Sequence, residues 1–557
     1  MVLAGLSTRR ADARELFELS DRDKPPIKIL LYTDAPEFVT ESPTGAFGLG
    51  RMKQHIEGHS PAFARFDVRY ESRYPTNSPT ATNKIDDILK RATRPEDQFD
   101  QIWFFGVHQI NKAFPNLNLG GGTTESELTA GESTALKKWM DEHHGGVLVT
   151  GDHAGQRPDD AIAADPNPLF PDTARSEKFL GLGRALGRGI PRAGKLRRWD
   201  GDPTSLPGHT FNTQARRRGF GNNDPLLEGD FLPQEISHRL FDKNGLPTRD
   251  GGGVPHPLFF YSDDHPILFL PDHTHEGAVI LPDLSESIWE TNAAGFRPEP
   301  HVVATGIDAN TGSELNLLVA YDGTAVNRGR IVADSSWHHY FNVNLQGLLH
   351  PAPLDSPADQ IGQFYANLAL WLCPIKKRQQ MSDLMIEWLA RHPMVLEEFG
   401  PISTDELAAL VGTGQAALHV VKRVASLCEI HELIQMTFTR KRREQVETIH
   451  LPEDDSVLTV LPSKQLVLGY VVNRASQISN GNQPALAARR EFIETTTAES
   501  LNVSELAFQR QEREVLQALN AEKLSFNIDL DSSEKVKSQP GLENLESSSP
   551  NESQPPR

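Results

Sequence analysis

The sequence has few cysteines and no long apolar run. Cys373 and Cys428 are the only cysteines among 557 residues, which excludes a disulfide framework and favours a reducing compartment. No apolar stretch approaches the roughly 20 residues that cross a bilayer. The opening residues lack the apolar centre of a secretory signal and carry acidic residues early. We therefore expect a soluble, cytoplasmic protein without a membrane partner.

Positive charge is scarce relative to negative charge. The chain carries 56 Lys and Arg against 75 Asp and Glu, a formal net charge of −19. Such a field repels nucleic acid, so no nucleic-acid partner is expected. Hydrophobic residues make up 38% of the chain and mean hydropathy is −0.44. These values are typical of a globular protein, and 557 residues predict two or more domains.

The first half of the chain alternates apolar runs with helical patterns. IKILLYT (27–33) is a continuous apolar run, typical of a strand buried on both faces of a sheet. Further strands are predicted at 66–71, 99–107 and 145–152, with helices at 84–92 and 132–144. Strand, helix, strand units of this length predict a parallel sheet with right-handed crossovers.

A loop-rich insertion precedes the last predicted strands. Residues 155–255 are rich in Pro, Gly and Asp, with one predicted helix at 176–187. An insertion of this size inside an α/β domain indicates a lid or binding region. Strand patterns return at 266–271, 301–307, 314–322 and 329–335, and a helix is predicted at 359–373.

Beyond that helix the pattern becomes mainly helical and carries no chemical motif. Ser403 and Glu406 have the spacing of a helix capping box. We expect the helices here to serve a protein partner. The predicted organisation is an N-terminal extension (1–24), an α/β domain (25–374), a helical accessory domain (375–450), a mixed strand and helix segment (451–530) and a disordered tail (531–557).

Three short segments place an Asp and at least one His at the ends of predicted strands. They are Asp152-His153, Asp272-His273-Thr274-His275-Glu276 and Asp334-Ser335-Ser336-Trp337-His338-His339. In a parallel α/β sheet the ligand lies beyond the carboxyl ends of the strands. We therefore predict that the fold gathers these segments, which are distant along the chain, into one pocket for a small-molecule substrate.

Two stretches carry a resemblance to a known family. GGVLVTGDHA after a helix ending in WMDEHHGG, and GRIVADSSWHH before QFYANLALWL, resemble the class I glutamine amidotransferase-like fold, and within it the ThuA-like branch named for trehalose utilisation. The resemblance covers about residues 25–374, with gaps. It implies a mostly parallel sheet with helices on both faces.

The same resemblance bears on the chemistry. Amidotransferases of the family carry a nucleophilic Cys on the turn where this chain has Asp152 and His153, so a Cys-dependent glutaminase is not expected. ThuA-like proteins show a His at that turn, which His153 matches. They also show a Gly-His after the last strand, which His338 matches with Trp337 in place of Gly.

One interpretation of these residues is a metal centre. Asp152, His273, His275 and His338 would supply the mixed nitrogen and oxygen ligands that suit Zn²⁺ or another divalent transition metal. A His-x-His pair on extended backbone points both rings to one side, which favours chelation. A His-Glu-x-x-His signature is absent from the sequence.

A second interpretation is a metal-free acid–base site. His153, His275 and His338 would exchange protons near neutral pH, with Glu276 orienting a ring. Ser335 or Ser336 is the candidate nucleophile or substrate contact, although the Ser-Ser pair lacks a nucleophile-elbow sequence.

A third interpretation gives the same residues a structural role. Asp and His after strands also make good turn and cap residues. The sequence thus predicts a hydrolase or related enzyme acting on a small polar substrate, with a carbohydrate among the candidates. The alternative is a binding or scaffold protein that keeps the fold and binds partners through its C-terminal helices.

Overall fold

The structure is a computed structural model, and it describes part of the chain. The described residues are 23–33, 42–44, 48–73, 83–91, 98–105, 130–150, 195–198, 234–241, 253–262, 265–271, 277–280, 291–293, 295–307, 314–335, 337–342, 344–345, 352–391, 407–444 and 468–469.

Strands and helices alternate in the first part of these residues. The strands are β1 (Pro26–Thr33), β2 (Arg65–Ser72), β3 (Gln101–Phe105), β4 (Gly146–Thr150), β5 (Lys195–Arg198), β6 (Gln234–Glu235), β7 (Ser237–His238), β8 (Leu240–Phe241), β9 (Val254–Pro255), β10 (Phe269–Leu270), β11 (Gly277–Ile280), β12 (His301–Ile307), β13 (Glu314–Asp322) and β14 (Arg330–Asp334). The α-helices are α1 (Gly50–Gly58), α2 (Ile85–Arg91), α3 (Ala130–His143), α4 (Pro357–Trp371), α5 (Ile375–Arg391), α6 (Leu407–Val421) and α7 (Leu427–Glu444). Short 3-10 turns occupy Pro257–Phe259, Gly323–Val326 and Trp337–Tyr340.

An eight-stranded sheet, in the order β2-β1-β3-β4-β14-β13-β12-β7, organises the fold. The five strands from β2 to β14 pair in parallel, and the remaining three are added antiparallel. This confirms the predicted mostly parallel sheet. The order 2-1-3-4, followed by one further parallel strand, is common among doubly wound α/β sheets. Strand order reverses between β1 and β3, and such a switch point is where these sheets bind ligands.

Helices cover both faces of the sheet, as predicted. Side chains alternate along each strand, so Ile29 and Leu31 of β1 join a core with α1 and α4, whereas Leu30 and Tyr32 join a second core with α2 and α3. A strand buried on both faces reads as a nearly continuous apolar run, which explains why β1, β3 and β4 are recognisable in the sequence. The first four predicted strands correspond to β1–β4 and the two predicted helices to α2 and α3, whereas α1 was not predicted.

The strand predicted at 266–271 is wrong in its extent and its position. Only Phe269–Leu270 form a strand, and it pairs antiparallel with β6 in a separate two-stranded sheet. Pro266 and Pro271 bracket the run, and neither has a backbone N–H for a sheet ladder. Gln360 of α4 instead accepts a hydrogen bond from the backbone N–H of Leu268 at 2.9 Å. The run is apolar because it packs against α4.

Other predictions fall outside the described residues. They include the helix at 176–187, the capping box at Ser403 and Glu406, and the tail at 531–557. The predicted domain boundaries also stay predictions. None of the helices in the described ranges combines the length and the apolar character needed to cross a membrane.

A buried ionic network joins the C-terminal helices to the amino end of β14. Nη1 of Arg330 donates to Glu432 Oε1 of α7 at 2.6 Å and to the carbonyl of Trp371 at 2.8 Å. Nε of Arg330 donates to Asp322 at 2.9 Å, and Arg378 of α5 donates to the other oxygen of Glu432 at 3.2 Å. Burial alone would raise the pKa of Glu432, but the charges of the two arginines lower it. The network therefore fastens α5 and α7 to the sheet.

Removal of Glu432 tests this attachment. Glu432→Ala leaves two arginines buried without their shared carboxylate, so we expect unfolding to become easier by about 3–5 kcal/mol in a urea titration. Lys138→Ala, which removes a Lys exposed at 69% of its side chain, is the control and should change little. Equal effects of the two variants would contradict the role of the network.

Candidate active site

The carboxyl ends of four parallel strands define one edge of the sheet. β1 and β3 end side by side, with Thr33 paired to Phe105, and β4 and β14 end with Thr150 paired to Asp334. Segments that follow these strands therefore start from a common edge. The residues that directly follow β1, β3 and β4 lie outside the described residues, while much of the chain after β14 is described.

Asp334 and His339 form a buried carboxylate–imidazole pair at this edge. Oδ1 of Asp334 lies 2.7 Å from Nδ1 of His339, and the Tyr340 hydroxyl donates to Oδ2 of the same carboxylate at 2.7 Å. All three residues are 0% exposed. The 3-10 turn Trp337–Tyr340 makes the arrangement possible, because it folds the chain back over the last residue of β14.

Aromatic packing connects the pair to the switch point of the sheet. The Tyr340 ring lies edge-on to Phe105, the last residue of β3, with ring centroids 5.4 Å apart. The hydroxyl of Tyr365 of α4 donates to the main-chain carbonyl of His339. Burial, followed by the charge of Asp334, raises the pKa of both tyrosines well above its ordinary value. Both hydroxyls therefore remain protonated donors.

Most of the predicted site residues lie outside the described part of the chain. These are Asp152, His153, Asp272, His273, His275, Glu276 and Ser336. His338 lies in the turn Trp337–Tyr340, and its side chain is not among those described. The predicted gathering of the three segments into one pocket thus stays a prediction. In the third segment, the structure pairs Asp334 with His339.

The flanks of the segment 272–276 are described and lie in different cores. Leu270 packs in the core that contains α4, and Val279 packs in the core on the other face. The Asn316 side chain donates to the carbonyl of Val279 at 3.0 Å. Asn316 lies on β13 two residues before Leu318, which pairs with Asp334. The end of this flank is therefore held close to the carboxyl end of β14.

A second group of ionisable side chains surrounds the start of α4. Nε2 of His59 lies 3.1 Å from Oδ1 of Asp359, and its Nδ1 lies 2.9 Å from the carbonyl of His55. The Tyr261 hydroxyl donates to Oδ2 of Asp359 at 2.5 Å. Both ring nitrogens of His59 face oxygen acceptors, and both donate at once only in the protonated ring.

His265, closer to the protein surface, has the same kinds of partner as His59: a carboxylate at Nε2 and a main-chain carbonyl at Nδ1. His265 stacks on Tyr261 with centroids 5.3 Å apart, its Nε2 lies 3.0 Å from Asp355, and its Nδ1 lies 2.9 Å from the carbonyl of Pro266. Asp355 is 58% exposed and Asp359 only 16%. The group thus leads from the surface inward to His55, whose ring lies 6.2 Å from that of Tyr365.

Sequence reasoning missed this second group and chose His338 over His339. The one usable signal was the spacing of His55 and His59, since residues four apart share a face of a helix. Tyr261, Asp355 and Asp359 show no such signal, because only the packing of distant segments brings them to the histidines.

Neither metal nor thiolate chemistry is visible in these residues. No group of three or more His, Cys, Asp or Glu side chains in the described ranges has the geometry of a metal site. Both cysteines are buried, and burial raises the pKa of each thiol. A thiolate nucleophile is therefore disfavoured at Cys373 and at Cys428.

Comparisons with protein-family models, curated proteins and solved structures return no match to this chain. The ThuA-like resemblance accordingly stays a prediction that rests on the quoted motifs.

Gly362 of α4 allows His55 of α1 and His59, the residue that follows α1, to approach. A Cβ at this position would overlap the His59 ring and lie 2.9 Å from Nδ1 of His55. We expect Gly362→Ala to destabilise the protein by about 1–3 kcal/mol in thermal unfolding, since overpacking displaces both rings. Gly412→Ala is the matched control, because Gly412 is also helical and has open space around it. That variant should be neutral or stabilising, and a neutral result for both would contradict the close approach.

The carboxylate of Asp359 predicts a pH-dependent contribution to stability. Burial would raise its pKa, but the hydrogen bonds from His59 and Tyr261 lower it below the ordinary value of 3.8. The contribution is therefore complete above about pH 4 and is lost as the pH falls through the lowered value.

Asp359→Asn tests this contribution. We expect the variant to lose about 1 kcal/mol of unfolding free energy at pH 7 and to approach the wild type in acid. Asp87→Asn, at an exposed position of α2, is the control. A difference from wild type that stays constant with pH would contradict the assignment.

Proposed function

We propose that the protein is a hydrolase or related acid–base enzyme that acts on a small polar substrate, with a carbohydrate among the candidates. The proposed architecture is that of the class I glutamine amidotransferase-like fold in its ThuA-like form. The strand order 2-1-3-4 with helices on both faces supports this architecture. The buried thiols of both cysteines support a reaction that does not use a Cys nucleophile.

The observation that carries the proposal is the contact of 2.7 Å between Asp334 and His339 at the carboxyl edge. A carboxylate that accepts from Nδ1–H fixes the tautomer of the ring and makes Nε2 the nitrogen that takes up a proton. His339 then acts as general base towards a water or a substrate hydroxyl. Through Tyr340, the pair adjoins the end of β3, where sheets of this order bind ligands.

The predicted residues of the other segments complete the proposal. His153, His275, Glu276, His338 and Ser336 are proposed to contact the substrate. In the metal-dependent version, Asp152, His273, His275 and His338 would hold a divalent ion such as Zn²⁺. Either version needs the three segments around one pocket.

One observation favours the non-catalytic alternative. Asp334, His339 and Tyr340 have no exposed surface. A buried polar cluster can have a purely structural role, which here would be to hold the end of β14. In that case the protein would be a binding or scaffold protein, and its C-terminal helices would be the surface for a partner.

His339→Gln separates the two functions. The purified chain is assayed with chromogenic glycosides, esters and phosphate esters, and with and without a chelator. A lost general base lowers turnover by roughly 10²–10⁴-fold, so we expect that loss in His339→Gln with the protein still folded. His301→Gln, a substitution of a histidine at the start of β12, should keep full activity.

Each outcome decides between the versions. Loss of activity in the chelator, with near-stoichiometric metal in the untreated protein, supports the metal site. Activity that survives the chelator supports the acid–base site. Turnover by His339→Gln equal to that of wild type, or no turnover of any substrate by the wild type, would contradict the proposal and favour the scaffold role.

A further inference from the structure

Each oxygen of the Asp334 carboxylate has a hydrogen-bond partner. Nδ1 of His339 faces Oδ1 and the Tyr340 hydroxyl faces Oδ2, both at 2.7 Å. A carboxylate with one partner can turn about its Cβ–Cγ bond and present either oxygen. With both oxygens occupied, the plane of the Asp334 carboxylate is fixed, and so is the direction from which it accepts the imidazole proton.

The Tyr340 hydroxyl is suited to this task because it keeps its proton. Burial and the charge of Asp334 raise the pKa of Tyr340 well above its ordinary value. The ring cannot turn away, since it is packed against Trp103 and Phe105 of β3 with centroids 6.4 and 5.4 Å away. Tyr340 is therefore a rigid, protonated donor to Asp334.

Tyr365 fixes the main chain of His339, the other member of the Asp334–His339 pair. Its hydroxyl donates to the main-chain carbonyl of His339, and its ring lies 5.6 Å from that of Tyr340. The ring of His339 is thus held through Asp334, and its backbone is held through α4.

We infer that Tyr340 is a positioning residue: by fixing the Asp334 carboxylate, it confines the imidazole proton of His339 to Nδ1 and aims Nε2 at the substrate. This inference rests on the proposed function for the role of Nε2. It assigns to Tyr340 no contact with the substrate. The inference is based on the carboxylate that the two residues share. The Tyr340 hydroxyl binds Oδ2, so that Oδ1 faces the His339 ring.

The test uses the full chain with ¹⁵N-labelled histidine rings. Nitrogen NMR distinguishes a protonated from an unprotonated ring nitrogen, and the signals of His339 are identified by their loss in His339→Gln. In the wild type at a pH where the ring is neutral, we expect a single tautomer with the proton on Nδ1. In Tyr340→Phe we expect both signals to shift towards the average of two tautomers.

Tyr32→Phe is the matched control. Tyr32 is equally buried, and its hydroxyl donates to the carbonyl of Asn83 at 2.8 Å on the other face of the sheet. It loses one buried hydroxyl, as Tyr340→Phe does, but should leave the His339 signals unchanged. Tyr365→Phe should shift them and keep the proton on Nδ1. Unchanged signals in Tyr340→Phe, or equal shifts in Tyr32→Phe, would overturn the inference.

Kinetics add a readout that separates this inference from the proposed function. With an active substrate in hand, Tyr340→Phe should lower kcat and leave KM unchanged, because the base is misdirected while binding persists. A rise in KM with kcat unchanged would overturn the positioning role. Full activity of His339→Gln would refute the proposed function, whereas the tautomer measured by NMR would still report whether Tyr340 fixes the ring.

Discussion

The packing of α4 is the constraint on which the other contacts depend. Twelve of its residues are buried, and side chains on several of its sides make specific polar contacts. Tyr365 bonds to the main chain of His339, Asn367 donates to the carbonyls of Leu258 and Phe260, and Asp359 binds His59 and Tyr261. A helix buried on so many sides fixes the relative positions of everything that touches it. The turn after β14, the end of α1 and the run before the segment 272–276 are all placed by this one element.

The two ends of β14 make different buried polar contacts. Arg330, its first residue, lies in a buried ionic network that joins the sheet to α5 and α7. Asp334, its last residue, holds His339 and Tyr340 at the carboxyl edge. Charges at both ends are removed from water, which is costly unless every charge is paired. The pairing at the amino end joins the sheet to α5 and α7, whereas the pairing at the carboxyl edge belongs to the proposed site.

The sequence predicted the fold better than it predicted the site, for a physical reason. A strand buried on both faces must be apolar throughout, so IKILLYT and GVLVT are recognisable from local composition alone. The run PILFLP has the same composition but is apolar because it packs on α4, and local composition does not distinguish the two cases. A site depends on contacts between distant segments. The Asp334–His339 pair could be approached from sequence because it spans five residues, but the choice between His338 and His339 depends on the turn that follows the strand. The contact of His59 with Asp359, 300 residues away, has no counterpart in local sequence.

The proposed function requires that histidines and carboxylates from three distant segments meet at the carboxyl edge beside His339. A crystal structure that resolves residues 152–153 and 272–276 measures this directly. We predict that the side chains of His153, His275 and Glu276 lie within about 10 Å of the His339 ring around a concave pocket. Placement of either segment on another face of the protein, away from Asp334 and His339, would contradict it.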